Sequence, residues 1–181
     1  FELCQKWLDM ALVLSPDSRN FIELQADLSF DTGQSDSAIE WYNHLLDEFA
    51  YDTYYWDQLA RLYYEKNEFA KSRECFEFIE AIDPTDKSAR MMKASCIFNM
   101  DDWQGAYDIY SSLLQDDPAS YTLLYYCARC LYEMERLEDA YDKFLDTLAM
   151  LMLDKDATAE MYVELYYYLA DTALKTGRKD M

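Results

Sequence analysis

The 181 residues include only three glycines, three prolines and one histidine. A sheet-rich domain of this length spends Gly and Pro on its many turns, so their scarcity points to long helices joined by short connections. The single histidine, His44, leaves no His pair and no His-based metal cluster, and on a polar helix face it reads as solvated. Gly33, Gly105 and Gly177 lie too far apart to form a phosphate-cradling loop. No apolar run nears the roughly 18 residues of a membrane span. The longest, at 148–153, is far too short. Positive charge is scarce as well: 16 Lys and Arg stand against 36 Asp and Glu, a net charge of −20. Such a field repels nucleic acid and anionic membrane surfaces and attracts a basic partner. It also keeps a Tyr-rich chain in solution.

Catalytic chemistry is missing in the same way. No constellation of nucleophile, base and orienting group stands out, so no enzyme activity, cofactor or metal is expected. The five cysteines, Cys4, Cys75, Cys96, Cys127 and Cys130, are odd in number and fall in amphipathic segments. Reduced core thiols account for them better than a disulfide framework, which points to a reducing, cytoplasmic setting. Cys127-x-x-Cys130 puts two thiols on one helix face, but no second pair completes a zinc site. The pairs Asp101-Asp102 and Asp116-Asp117 read as turn and helix-start residues.

What is present is a period. Pro16, Pro84 and Pro118 fall on one 34-residue lattice, with Ala50 at the remaining phase. Alanine recurs at Ala26, Ala60, Ala94 and Ala128, and small residues at Cys4, Ala38, Ser72, Ala106 and Ala140. Large residues recur at Leu8, Tyr42, Phe76, Tyr110 and Phe144, and a polar turn phase at Gly33, Asn67, Asp101 and Glu135. Helices that pack about 8–10 Å apart need small residues where they cross, which the two small ladders supply. The large ladder fills the space between units. Proline sits where a helix has ended.

The helical pattern begins at about residue 2 and gives a lone second helix over 2–14. Helix hairpins follow at about 19–49, 53–83, 87–117 and 120–153, and a last first-type helix at 158–176. Two departures break the lattice. Arg90 and Lys93 hold the phases of Trp56 and Leu59, so that first helix should pack less well. Ala128 to Ala170 spans 42 residues, eight beyond the period. About one extra turn is expected in each helix around 148–153 and 161–165, with the two packing on each other. The contrary reading is an exposed apolar patch there.

Trp56-x2-Leu59-Ala60-x2-Tyr63, then Ser72-x3-Phe76, then Pro84 resembles the tetratricopeptide repeat pattern, as do Ala106-x3-Tyr110 with Pro118 and Ala140-x3-Phe144. The resemblance runs over nearly the whole chain. It implies an all-α, right-handed superhelical solenoid of antiparallel hairpins, a single array over 1–181. Its parts are a half repeat at 1–16, full repeats at 17–50, 51–84, 85–118 and 119–156, the last extended, and a half repeat at 157–181. Cut through repeats at both ends, the chain reads as a fragment of a larger repeat protein.

The resemblance further implies a concave face lined by the first helix of each unit. On 53–66 the packing stripe is Trp56, Leu59, Ala60 and Tyr63, which leaves Tyr54, Asp57, Arg61, Tyr64 and Glu65 for that face. On 121–134 the matching residues are Thr122, Tyr125, Arg129, Tyr132 and Glu133, and Phe30 and Phe98 extend an aromatic ladder. Phe30, Tyr54, Arg61, Tyr64, Phe98, Tyr125, Arg129 and Tyr132 are therefore the candidate partner-binding residues. Aromatic and Arg side chains carry most interface energy, and Tyr adds a polar tip to a large ring. The bland alternative is that the rings pack along the array and each Arg pairs with Glu. The groove phase Asp27, Arg61, Ser95 and Arg129 lacks the clustered Lys and Asn with which some family members hold acidic tails. A scaffold for a protein or peptide, basic in character, is the expected function. Self-association through 148–166 and an accessory role in a larger regulator or enzyme are the alternatives.

Overall fold

The computed structural model describes residues 1–178, and among them every regular element is a helix. In order these are α1 (Glu2–Leu14), α2 (Arg19–Asp31), α3 (Ser35–Glu48), α4 (Thr53–Glu65) and α5 (Phe69–Ile82). They continue with α6 (Lys87–Phe98), α7 (Trp103–Asp116), α8 (Tyr121–Glu133), α9 (Leu137–Leu151) and α10 (Ala159–Lys175). Of the hairpins expected from the 34-residue period, α2–α3 and α4–α5 pack within the first half of the chain and α8–α9 within the second. The chain divides into two compact units, Phe1–Cys96 and Ile97–Met181, and the division falls inside α6.

The ladders show why these segments fold as they do. Ala26, Ala60, Ala94 and Ala128 are fully buried, as are Ala38, Ser72, Ala106 and Ala140. Where the two small ladders meet in α4–α5, the Ser72 hydroxyl donates to the Ala60 carbonyl at 2.8 Å, a contact no larger side chain would permit. Tyr42, Phe76, Tyr110 and Phe144 of the large ladder are buried to 1% exposure or less.

The polar turn phase turns out to be a backbone requirement. Gly33, Asn67, Asp101 and Glu135 all have positive φ, between 59° and 72°, and Gly177 joins them at 72°. Each ends a first-type helix in the left-handed conformation that satisfies two of its last carbonyls. In α4, Asn67 N–H donates to Tyr64 O at 2.9 Å and Glu68 N–H to Tyr63 O at 2.8 Å. In α8, Glu135 and Arg136 do the same to Tyr132 O and Leu131 O at 3.0 and 2.9 Å. At the other ends, Asp52, Asp102 and Ser120 accept from backbone N–H groups of α4, α7 and α8.

In unit 1 the core gathers Tyr42, Leu45, Tyr55, Leu59, Leu62, Phe76 and Ile79. Tyr55 is fully buried and its hydroxyl is satisfied, donating to Glu23 at 2.9 Å and accepting from Arg19 Nε at 2.8 Å. In unit 2 the core gathers Ala128, Leu131, Ala140, Tyr141, Phe144, Leu151, Leu165 and Leu169.

Four expectations are corrected. Cys4 is exposed, unlike the other four thiols, because no described residue packs over the phase of α1 that Ser72 and Ala140 bury in α5 and α9. Asp116 and Asp117 close α7 rather than start a helix. Within α4, Tyr55 and Leu62 are buried alongside Leu59 and Ala60, while Trp56 and Tyr63 are only half-buried. Trp56 instead stacks on Phe78 with ring centroids 4.4 Å apart and donates its indole N–H to Ala50 O at 2.8 Å.

The fourth concerns the eight extra residues. They do not add a turn to each helix. α9 has 15 residues where α3, α5 and α7 have 14, and α10 has 17 where α8 has 13. The remainder lengthens the connection, which runs over 152–158. The expected packing of α9 on α10 does form, through Leu151 and Leu165, with Tyr162 donating to Leu151 O at 3.1 Å. The outer side also keeps an apolar surface: Met152, Leu153, Val163, Tyr166 and Tyr167 are exposed. In α6, Arg90 and Lys93 both face Glu80, and only Ala89, Ala94 and Cys96 of this helix are buried.

Candidate functional site

In unit 1 the candidate residues are spread out. Phe30 and Tyr64 are half-buried against the core, and the Tyr64 ring meets Phe69 edge-on at 5.2 Å. The Tyr64 hydroxyl lies 3.0 Å from Ser95 Oγ. Tyr54 is exposed, and its hydroxyl donates to Asp27 at 3.1 Å, beside that of Tyr42 at 2.7 Å. Burial, and then the Asp27 charge, push the Tyr54 phenol up to about 12. Arg61 is exposed and held by Asp57, one turn earlier, at 2.7 Å.

In unit 2 the candidates converge. The Arg129 guanidinium lies 4.5 Å from the Tyr168 ring centre, 5.5 Å from Phe98 and 5.9 Å from Tyr125. It donates to the Tyr125 hydroxyl at 3.2 Å and to Glu164 at 3.4 Å, and Glu133 lies 3.7 Å away. Burial opposes its charge, but the Tyr125 hydrogen bond and the ring and carboxylate neighbours more than offset that and raise its pKa. Tyr132 meets Tyr168 edge-on at 5.2 Å and donates to Asp171 at 2.6 Å, and Lys175 caps the pair. Phe98, Tyr125, Arg129 and Tyr132 are thus brought together: α10 joins Tyr125, Arg129 and Tyr132 through Tyr168, and Arg129 carries the contact to Phe98.

Tyr168 is the residue that sequence reasoning missed. It stacks on Phe144 at 5.3 Å and touches Tyr125, Tyr132 and Arg129. The signal lay in the run Tyr166-Tyr167-Tyr168, which spends three aromatics on one helix. Beside this cluster a cavity of about 120 Å³ opens between α8, α9 and α10. Tyr121, Tyr125 and Tyr126 wall it, Thr147, Leu151 and Leu165 lie deepest, and Thr122, Met161 and Glu164 complete the lining. Thr122 and Tyr125 belong to the stripe that the repeat left free of packing duty. The volume suits one side chain of a partner rather than a small-molecule substrate.

The four buried thiols are insulated. Burial pushes Cys127 up to about 11 and Cys130 and Cys75 up to about 12, far from the activated thiolate range. Among the described residues no group of three or more Cys, His, Asp or Glu side chains is placed to hold a metal ion. No helix among them is long and apolar enough to cross a membrane.

Comparison with known proteins agrees with this architecture. Residues 61–147 match the family model described as anaphase-promoting complex, cyclosome, subunit 3. Among solved structures, MamA aligns with a TM-score of 0.72 at 16% identity, over 84% of each chain. YrrB, described as a TPR protein with an unusual peptide-binding site, aligns at 0.70 and 12% identity, over 96% of this chain and 85% of its own. MamA 41-end from Desulfovibrio magneticus RS-1 aligns at 0.76 and 10% identity, over 89% and 86%. No curated protein matches the sequence. The chain has the tetratricopeptide repeat fold, an all-α array of helix hairpins.

Proposed function

We propose that this protein is a non-catalytic scaffold that holds a protein or peptide through the exposed face of its first-type helices. The observation that carries the reading is the cavity between α8, α9 and α10. Tyrosine walls and aliphatic depth suit an apolar side-chain stem, and Glu164 at its lining suits a basic head. The net charge of −20 supports the same preference, since it draws basic segments toward the surface. In unit 1, Tyr54 and Arg61 stand exposed on α4 and serve as contacts outside the cavity.

The reading is tested by probing an array of random peptides with the 181-residue chain. Peptides that present Lys or Arg beside an aliphatic residue should be enriched and should dissociate as salt rises. Thr122→Trp, which crowds the cavity from its wall, should remove that enrichment while leaving the thermal unfolding curve in place. A peptide profile unchanged by Thr122→Trp would show that the cavity does not bind.

A further inference from the structure

The walls of the unit 2 cavity are aromatic, and their arrangement bears on which side chain it holds. Tyr125 and Tyr126 are adjoining walls, with rings 5.7 Å apart and inclined at 64°. Both rings are held in place. Tyr126 is stacked on Tyr110 at 5.1 Å, and Tyr125 lies against Phe144 at 6.0 Å and Tyr168 at 6.3 Å. Tyr121, one helical turn before Tyr125, supplies the third ring. At the bottom, Thr147, Leu151 and Leu165 are buried to 2% exposure or less.

The polar groups of this lining are already engaged. Thr147 donates its hydroxyl to Lys143 O at 2.8 Å, the Tyr125 hydroxyl accepts from Arg129 at 3.2 Å, and Leu151 O accepts from Tyr162 at 3.1 Å. An ordinary lysine ammonium needs an acceptor for each of its N–H donors, and ring faces and aliphatic carbon offer none. Methyl groups in place of those hydrogens remove the demand and keep the positive charge, which aromatic faces attract. The local charge favours a cation too. Glu133 and Glu164 both stand against the Arg129 guanidinium, so two carboxylates face one cation, and Glu164 belongs to the cavity lining.

We propose that the cavity is a cage for a methylated lysine of a partner protein, so that the scaffold recognises a modification. The inference rests on the reading above, in which the cavity holds a partner side chain. Thr122 and Tyr125 place the cavity on the α8 stripe where that partner lies. The lysine stem packs on Met161 and the aliphatic lining, and the methylated nitrogen sits among Tyr121, Tyr125 and Tyr126.

The test is an array of random peptides with one central lysine, prepared unmethylated, mono-, di- and trimethylated, and probed with the 181-residue chain. A further form replaces the trimethylated nitrogen by carbon and so carries no charge. Binding should strengthen with each methyl group, by about tenfold from unmethylated to trimethylated lysine, and the neutral form should lose that gain. Tyr121→Leu should remove most of the gain, and Tyr121→Phe, which keeps the ring, should retain it. Glu164→Gln, at an exposed side chain, should weaken the trimethylated peptides without disturbing the walls. Peptides that bind through the cavity equally well with unmethylated lysine would overturn the inference and leave the scaffold reading standing. No binding in any form would overturn both. Methyl-dependent binding that survives both Tyr121→Leu and Glu164→Gln would overturn the cage. So would tetramethylammonium bound in the cavity with no methyl preference among the peptides, which would assign the site to a free quaternary ammonium compound.

Discussion

Arg61 and Arg129 stand two repeats apart at the same phase of the same helix type, each followed closely by Tyr and Glu, yet they are differently employed. In unit 1 Arg61 is exposed and has one carboxylate, Asp57, on its own helix. In unit 2 Arg129 lies against three rings, bonds Tyr125 and Glu164, and has a side chain only 20% exposed. The repeat phase assigns a direction to a side chain, and the neighbouring helix decides whether that direction leads to solvent or to a partner. The eight extra residues before the α10 phase set Tyr168 and Glu164 against Arg129. Arg129 is packed among rings and carboxylates in unit 2, whereas Arg61 stays at an exposed pair on its own helix in unit 1.

The largest break in the comparison should come from Arg129→Ala. It removes a largely buried cation from two carboxylates and three rings, and should cost about 2–4 kcal/mol in denaturant unfolding. A cost as small as that of a surface charge would show that the ring cluster does not depend on the cation. The second effect is alkaline. The folded Cys127 and Cys130 thiols titrate at about 11 and about 12, above their ordinary 9.0. Below pH 9 both states keep the proton, and stability is unaffected. Between pH 9 and about 12 the unfolded chain releases protons that the folded chain retains, so stability falls as pH rises. At pH 10 the two thiols together should cost about 3 kcal/mol. The double variant Cys127→Ala, Cys130→Ala should flatten that part of the pH curve measured by urea unfolding.

A third effect sharpens the contrast between repeats in the opposite direction. Gly33 and Glu135 occupy the same left-handed position, at φ 72° and 59°. Glycine is at ease there and glutamate is not, so Glu135→Gly should raise stability by up to about 1 kcal/mol. An unchanged or lowered melting temperature would mean that the Glu135 side chain is offsetting its backbone strain. The smallest effect belongs to Arg61→Ala. An exposed pair of this kind is worth about 0.5 kcal/mol or less, so the unfolding midpoint should hardly move while a bound peptide partner weakens. A large stability loss would place Arg61 in the core of unit 1 after all.

The fold was legible because packing repeats. Alanine at four crossings and a large residue between units are demands that recur every 34 residues, and each leaves a mark in sequence. The left-handed phase also left its mark, but as polar residues whose backbone meaning appears only in the φ angles of Asn67, Asp101 and Glu135. The site was less legible because it forms where the period breaks. Tyr168 reaches Arg129 only through the lengthened connection at 152–158 and the longer α10, and spacing alone does not say how an insertion divides between helix and loop. For the same reason Tyr125, Arg129 and Tyr132 read as part of a simple ladder in sequence, although Tyr168 of α10 makes them one cluster.

The most direct test of this division between the units is the exchange of the two arginine Nε–H protons with solvent, followed by NMR on the same sample. Arg129 Nε is buried, whereas Arg61 Nε is held at an exposed pair. A persistent, slowly exchanging Arg129 signal beside a rapidly exchanging Arg61 signal is the predicted result. Equal, fast exchange at both positions would contradict it.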